Sequence, residues 1–259
     1  MASAARTYGD VTLEMVDGPV GVAEIHRPPD NFFDVTLIAS LADALGDAVA
    51  SGARAALVCS EGKHFCAGAK FAPGGDQPLD TAHDLYAEAA RLFDLGLPMV
   101  AAVQGAAVGG GLGLALAADF RVAAPEARFA ANFARLGIHQ GFGISVTLPR
   151  VIGTQRALEL LLTGRRVDGT TALSIGLCDR LAPLEGLRGA ALDVAAEIAA
   201  AAPLAVASIR STMRGALADE VRAAMAHERA EQLVLARTED HAEGVAASAA
   251  RRTPRFRGR

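Results

Sequence analysis

Cysteine is scarce in this chain, with three residues, at positions 59, 66 and 178. An odd number, with two in or beside apolar runs, argues against a disulfide framework. It points to a reducing compartment, the cytoplasm. A basic excess is also missing: 25 Lys and Arg face 29 Asp and Glu, for a net charge of −4. That excludes a broad nucleic-acid surface and leaves room for a local basic spot for a small phosphorylated ligand. Long apolar runs are absent. No stretch reaches the roughly 18 residues that span a bilayer, and the run 112–118 stops at Asp119, so no membrane partner is expected. The first ten residues lack an apolar segment, so no signal peptide is expected. A dinucleotide fingerprint fails too, because the third glycine of G-x-G-x-x-G after Gly109-x-Gly111 would fall at Leu114.

What is present is a chain that is 51% apolar and 21% charged, enough to bury a sizeable core. Val11 to Ile25 reads as two strands joined at Asp17-Gly18-Pro19. Leu37, Leu41, Leu45 and Val49 repeat every four residues, which predicts an amphipathic helix capped at Thr36. Strands follow at Arg54–Ser60, Leu97–Val103 and Phe120–Ala123, with helices near Ala82–Leu95 and Gly109–Ala118 between them. Strand–helix alternation predicts an α/β core with crossover connections. Residues 154–163 and a segment beginning at Asp168 read as helices. Residues 186–250 are alanine-rich and predict three or four more, the last starting at Thr238. The division expected is a core at 1–190 and a helical C-terminal region at 191–259.

Two small-residue turns carry the chemical signal. His64-Phe65-Cys66-Ala67-Gly68-Ala69-Lys70 follows the apolar run 55–59, and Val108-Gly109-Gly110-Gly111-Leu112-Gly113 follows the run 99–103. Such turns let backbone N–H groups reach a ligand unobstructed. One N–H from each would make an oxyanion hole for a carbonyl. Taken alone, the triple glycine reads rather as a tight strand-to-helix turn or a close helix-packing site; taken with the first turn, it reads as part of an oxyanion hole. Cys66 has no evident histidine partner and reads as structural rather than nucleophilic.

These turns, with Pro98-Met99-Val100-Ala101-Ala102-Val103-Gln104-Gly105, resemble the crotonase superfamily, the enoyl-CoA hydratase/isomerase family. Arg27-Pro28 with Asn31, Leu162-Thr163-Gly164 with Ala172 and Gly176-Leu177, and Pro254-x-Phe256-x-Gly258-Arg259 match as well. The resemblance implies a spiral of ββα units with a C-terminal helical trimerisation region, assembled as a homotrimer or a dimer of trimers. It implies a coenzyme A thioester as substrate, with no separate cofactor and no metal, and an oxyanion hole from the N–H groups of Ala69 and Gly110. It further implies that Arg27, Ala67, Lys70 and Phe256 contact the CoA portion. For Phe256 and the tail arginines a solvated tail is the competing reading.

The resemblance places the family's two catalytic glutamates at Gly113 and Phe133. Neither residue can move a proton, and Phe129 to Gln140 contains no Asp or Glu. Standard hydration and one-glutamate isomerisation are therefore not expected, although a lyase or isomerase of this family is. His139 and Gln140 are the candidate replacements: histidine is the residue type suited to acid/base work at neutral pH, and Gln140 resembles the site of a catalytic aspartate in the naphthoate-synthase branch. A histidine beside a glycine turn also commonly bonds only backbone. Segment 72–88 carries Asp76, Asp80, His83, Asp84, Tyr86 and Glu88, most expected on solvated faces, with His83 and Glu88 as possible bases. Asn132 and Arg135 read as polar pocket residues or, in preference, as surface ones. The expectation is an acyl-CoA enzyme with a non-standard acid/base. The alternatives are a non-catalytic acyl-CoA-binding or assembly homologue, or a carbonyl-compound hydrolase of the same fold.

Overall fold

The computed structural model describes residues 4–16, 19–71 and 82–259. The turn at Asp17-Gly18, the residues Asp76 and Asp80, and the side chain of His83 lie outside the described residues. Short strands β1 (Arg6–Tyr8), β2 (Val11–Val16) and β3 (Val20–Ile25) form an antiparallel edge. Helix α1 (Val35–Ala50) leads to β4 (Ala55–Ser60), and α2 (Ala82–Asp94) leads to β5 (Met99–Val103). Then come β6 (Ala106–Val108), α3 (Gly110–Ala117), β7 (Phe120–Ala123) and β8 (Arg128–Ala130). A 3-10 turn over Asn132–Leu136 precedes α4 (Ile144–Ile152), α5 (Thr154–Thr163), β9 (Arg166–Asp168), α6 (Gly169–Ser174) and β10 (Arg180–Leu181). Four helices end the chain: α7 (Leu187–Ala200), α8 (Pro203–Arg214), α9 (Leu217–Leu235) and α10 (Glu239–Ala249).

The large sheet runs in the order β1-β2-β3-β4-β5-β7-β10 and is parallel from β3 onward. Alternate residues of β4 explain its unbroken apolar run. Ala56 and Val58 join the main core with α1, while Leu57 and Cys59 join a second layer under α7. A strand covered on both faces has no polar side to show. The second sheet, β6-β8-β9, went unrecognised in the sequence, because three-residue strands are too short for a period-2 pattern.

Helix α1 starts one residue before the expected cap. Asp34, not Thr36, caps it, its Oδ1 accepting from Leu37 N–H at 2.9 Å. Val49 is 45% exposed rather than buried. A strict four-residue repeat drifts, so that twelve residues after Leu37 the stripe has turned by about 120°, and Ala48 takes the buried place. Asp168 and Thr238, where these helices are expected to begin, cap them, accepting from Thr171 N–H and His241 N–H.

The expected boundary at residue 190 falls inside α7, which packs on the large sheet. Helix α9 buries Val221 and Met225 in the main core. Helix α8 buries none of its residues and is held by charge: Arg210 Nε lies 3.0 Å from Asp119, and Arg214 Nη1 lies 2.5 Å from the same carboxylate. All three cysteines are free and buried, and burial pushes the Cys66 thiol up to about 12, so it is no nucleophile at neutral pH. Among the described residues no single helix is long and apolar enough to cross a membrane.

Candidate active site

The first glycine turn is pinned before it reaches the site. Buried Asn31 donates through Nδ2 to the carbonyls of Glu61 (2.8 Å) and His64 (2.6 Å), and Gln104 Nε2 donates to those of Ser60 and His64. The turn then pairs with β6: Cys66 N–H donates to Ala106 O at 2.9 Å and Val108 N–H to Cys66 O at 3.1 Å. Gly68 has φ +87, and a β-carbon there would lie 2.7 Å from Val108 O and 3.4 Å from Gly110 N. Only glycine admits both that backbone angle and that approach, so it brings the two turns together. Gly110 is the first residue of α3, whose leading N–H groups have no partner inside the helix. Among the described residues, neither Ala69 N–H nor Gly110 N–H donates to an acceptor.

Both residues line one cavity of about 430 Å³. Its wall is chiefly apolar and aromatic, with Phe33, Phe71, Phe133 and Phe142 prominent, and the Phe33 and Phe142 ring centroids are 5.4 Å apart. Among the described residues, Lys70, Arg128 and Arg166 bring three cations to it against the one carboxylate of Asp30. Such a concentration of positive charge, in a chain that is net negative, favours an anionic ligand. His64 also lines the cavity. Its Nδ1 accepts from Ala106 N–H, and burial lowers its pKa.

Of the residues singled out in the sequence, Ala67, Ala69, Lys70 and Gly110 line the cavity together. His139, Gln140, Arg27 and Phe256 are not among its lining residues. The His139 ring bonds the carbonyl of Gln140 and packs edge-on against His227 of α9, and Gln140 Nε2 donates to Ser145 Oγ. The reason is local: Phe142 and Gly143 both have positive φ, and this turn sends Gly141 and Phe142 inward while His139 faces α9. Arg27 is occupied by Asp10 and Asp34, at 2.5 and 2.9 Å. Phe256 is 41% exposed on a tail that folds back over α10, where Arg252 pairs with Glu243 and the N–H groups of Arg257 and Gly258 donate to Asp240. Glu88 is paired with Arg91.

Gly113 is buried inside α3, and Phe133 is apolar. Phe142 fills the space beside Gly113, where a β-carbon would lie 2.6 Å from Phe142 Cβ. Phe133 lines the cavity directly.

Three polar residues of the wall escaped the sequence reading. Asn132 was taken as surface and lines the cavity. Tyr86, expected on a solvated face, is largely buried there and donates from its hydroxyl to Gln232 Oε1 at 2.8 Å. Gln232, 5% exposed, comes from α9. One turn earlier on α9 lies Glu228, fully buried, whose carboxylate accepts from Gly143 N–H (2.8 Å) and Ser145 N–H (2.9 Å) at the start of α4. Burial raises its pKa against the pull of those hydrogen bonds. The signal was legible: Val221, Met225, Glu228 and Gln232 form one helical stripe, and two polar residues ending an apolar stripe mark buried hydrogen bonding.

Fold and cavity thus define a two-sheet α/β protein whose C-terminal helices close one side of the site. The chain belongs to the enoyl-CoA hydratase/isomerase family, whose model matches residues 17–259. It is 36% identical over 214 residues to a carnitinyl-CoA dehydratase of Citrobacter koseri, covering 80% of this chain and 82% of that protein. It is 32% identical to a probable enoyl-CoA hydratase of Bacillus subtilis, covering 94% and 97%. A solved enoyl-CoA hydratase/isomerase from Pseudoalteromonas atlantica superposes with a TM-score of 0.84 at 30% identity, over 96% of this chain and all of that one. The expected crotonase fold is therefore present.

Proposed function

We propose that this chain is an acyl-CoA enzyme that polarises a thioester carbonyl between the N–H groups of Ala69 and Gly110. The observation carrying this reading is that two unaccepted backbone donors, one from each glycine turn, belong to residues lining a single cavity. Charge develops on the thioester oxygen when an enolate or tetrahedral adduct forms, and each preorganised donor contributes about 3 kcal/mol to that state. The start of α3 adds its positive end at Gly110. Lys70, Arg128 and Arg166 supply positive charge for the phosphates of coenzyme A, which enters as part of the substrate rather than as a resident cofactor.

The positions where the family pattern places its two glutamates hold Gly113 and Phe133 here, so water is not activated by that pair. The reaction is accordingly a lyase or isomerase step other than standard hydration. A second reading, acyl-CoA binding without turnover, draws on the same observation: Phe142 occupies the space beside Gly113, so the loss of the carboxylate is built into the packing. Calorimetry with CoA thioesters, run beside a turnover screen on crotonyl-, 3-enoyl-, β-ketoacyl- and malonyl-type esters, separates the two. Binding with turnover supports the enzyme, binding alone supports the second reading, and no binding defeats both.

The working form in this proposal is a homotrimer or dimer of trimers in the cytoplasm. Its support is the exposed apolar set Leu204, Ile209 and Met213 on α8 and Val234 on α9, with three buried thiols. Light scattering of the purified chain checks the mass.

A further inference from the structure

On the cavity wall, hydrogen-bonding capacity is left over among the described residues. Gln232 has two amide hydrogens, and one donates to His139 O at 3.0 Å. Its carbonyl oxygen takes the Tyr86 hydroxyl proton at 2.8 Å, which fixes the amide so that its nitrogen is the donor side. The Tyr86 oxygen keeps a lone pair to offer. Gly141 makes this arrangement possible: a β-carbon there would overlap the Tyr86 hydroxyl and lie 2.6 Å from Gln232 Nε2. The spare N–H and the spare lone pair sit on a wall otherwise made of Phe33, Phe133, Phe142 and Leu136. A buried donor without an acceptor is unfavourable by about 1–3 kcal/mol, and a plain alkyl chain would leave it so.

We infer that Gln232, oriented by Tyr86, is a specificity-determining residue that binds a neutral oxygen, hydroxyl or carbonyl, on the acyl group of the substrate. The inference rests on the acyl-CoA reading above and narrows it to oxygenated acyl chains. A carboxylate is disfavoured at this point because the buried carboxylate of Glu228 lies one helical turn away on α9. The oxygen of the ligand accepts from Gln232 Nε2–H, and a hydroxyl there also donates to the Tyr86 oxygen, so both open ends are closed by one group.

The test is calorimetric affinity for free CoA, butyryl-CoA, 3- and 4-hydroxybutyryl-CoA and succinyl-CoA. A hydroxybutyryl ester is expected to bind about tenfold more tightly than butyryl-CoA, the range of one buried hydrogen bond. Gln232→Met keeps the side-chain length and removes the donor. It is expected to erase that gap. Tyr86→Phe, which frees the amide to rotate, is the second variant and is expected to shrink the gap, with far-UV dichroism confirming that both variants fold. Equal affinity for butyryl and hydroxybutyryl esters in the natural chain would overturn the inference and leave the acyl-CoA reading standing. So would a preference for succinyl-CoA alone, or a gap that survives both substitutions. Failure of every thioester to bind would remove the acyl-CoA reading and this inference with it.

Discussion

Gly113 and Phe142 are complementary: the missing side chain of the first is the space occupied by the second. A β-carbon on Gly113 would lie 2.6 Å from Phe142 Cβ and 2.9 Å from its Cδ1, and the Phe142 ring is buried against Phe33. Phe142 also holds φ +62, an angle few side chains adopt, so surrounding packing dictates its position.

Placing a carboxylate at 113 therefore does not restore hydration. Gly113→Glu is expected to overpack the site and destabilise the chain by about 1–3 kcal/mol, seen as a lower denaturant midpoint. Crotonyl-CoA hydration should stay at background in the variant. Hydration appearing in a variant of unchanged stability would show that Phe142 yields easily.

Removing the Gly110 N–H tests the oxyanion hole. Proline suits the first position of a helix, but any β-carbon at 110 meets the Phe33 ring. The comparison is thus Phe33→Ala against Phe33→Ala with Gly110→Pro. On a substrate found by the screen, the added proline is expected to lower kcat by about 10²–10³-fold. A change below threefold would place the thioester oxygen elsewhere.

His139 offers the contrasting case. Its ring is engaged with Gln140 O and His227 outside the cavity lining, so His139→Ala is expected to leave kcat within about twofold. A fall beyond tenfold would mean that the loop turns inward during the reaction.

Glu228 predicts an unusual pH slope. Burial raises its pKa above the ordinary 4.5, so just above that pH the folded state keeps a proton the unfolded state has released. Stability then falls as pH rises from 4.5 through the folded pKa. The side chains of Tyr86, His139 and His227 lie in the same region. Glu228→Gln lacks the titration, so the Tm difference, natural chain minus variant, should decrease across that window; a flat difference would refute the shift.

Glu243 runs the opposite way. Arg252 and the Arg255 N–H hold its pKa down to about 2, so its hold on the tail is present above 4.5 and lost as pH falls toward 2. Glu243→Gln is expected to speed amide exchange at Arg255 and along residues 252–259 at neutral pH. Unchanged protection would assign the tail's order to Asp240 instead.

Some of this was legible along the chain. The apolar run of β4, the Asp168 and Thr238 caps and the two glycine turns are local features, read from a few neighbouring residues. So was the lack of carboxylate from 129 to 140. Other features escaped because their meaning lies in partners far away. Tyr86 looks like a helix-face residue until Gln232, 146 positions later, buries its hydroxyl.

By itself, then, the sequence determined the strand–helix order, the two turns able to present free N–H groups, and the family. These depend on local propensity, glycine's backbone freedom and residue identity at fixed spacing. Only the tertiary structure decided which way side chains point. It turned His139 toward α9, spent Arg27 on Asp10 and Asp34, and brought Tyr86 and Gln232 to the cavity. Side-chain direction follows from packing between elements distant in sequence, and no local pattern encodes it.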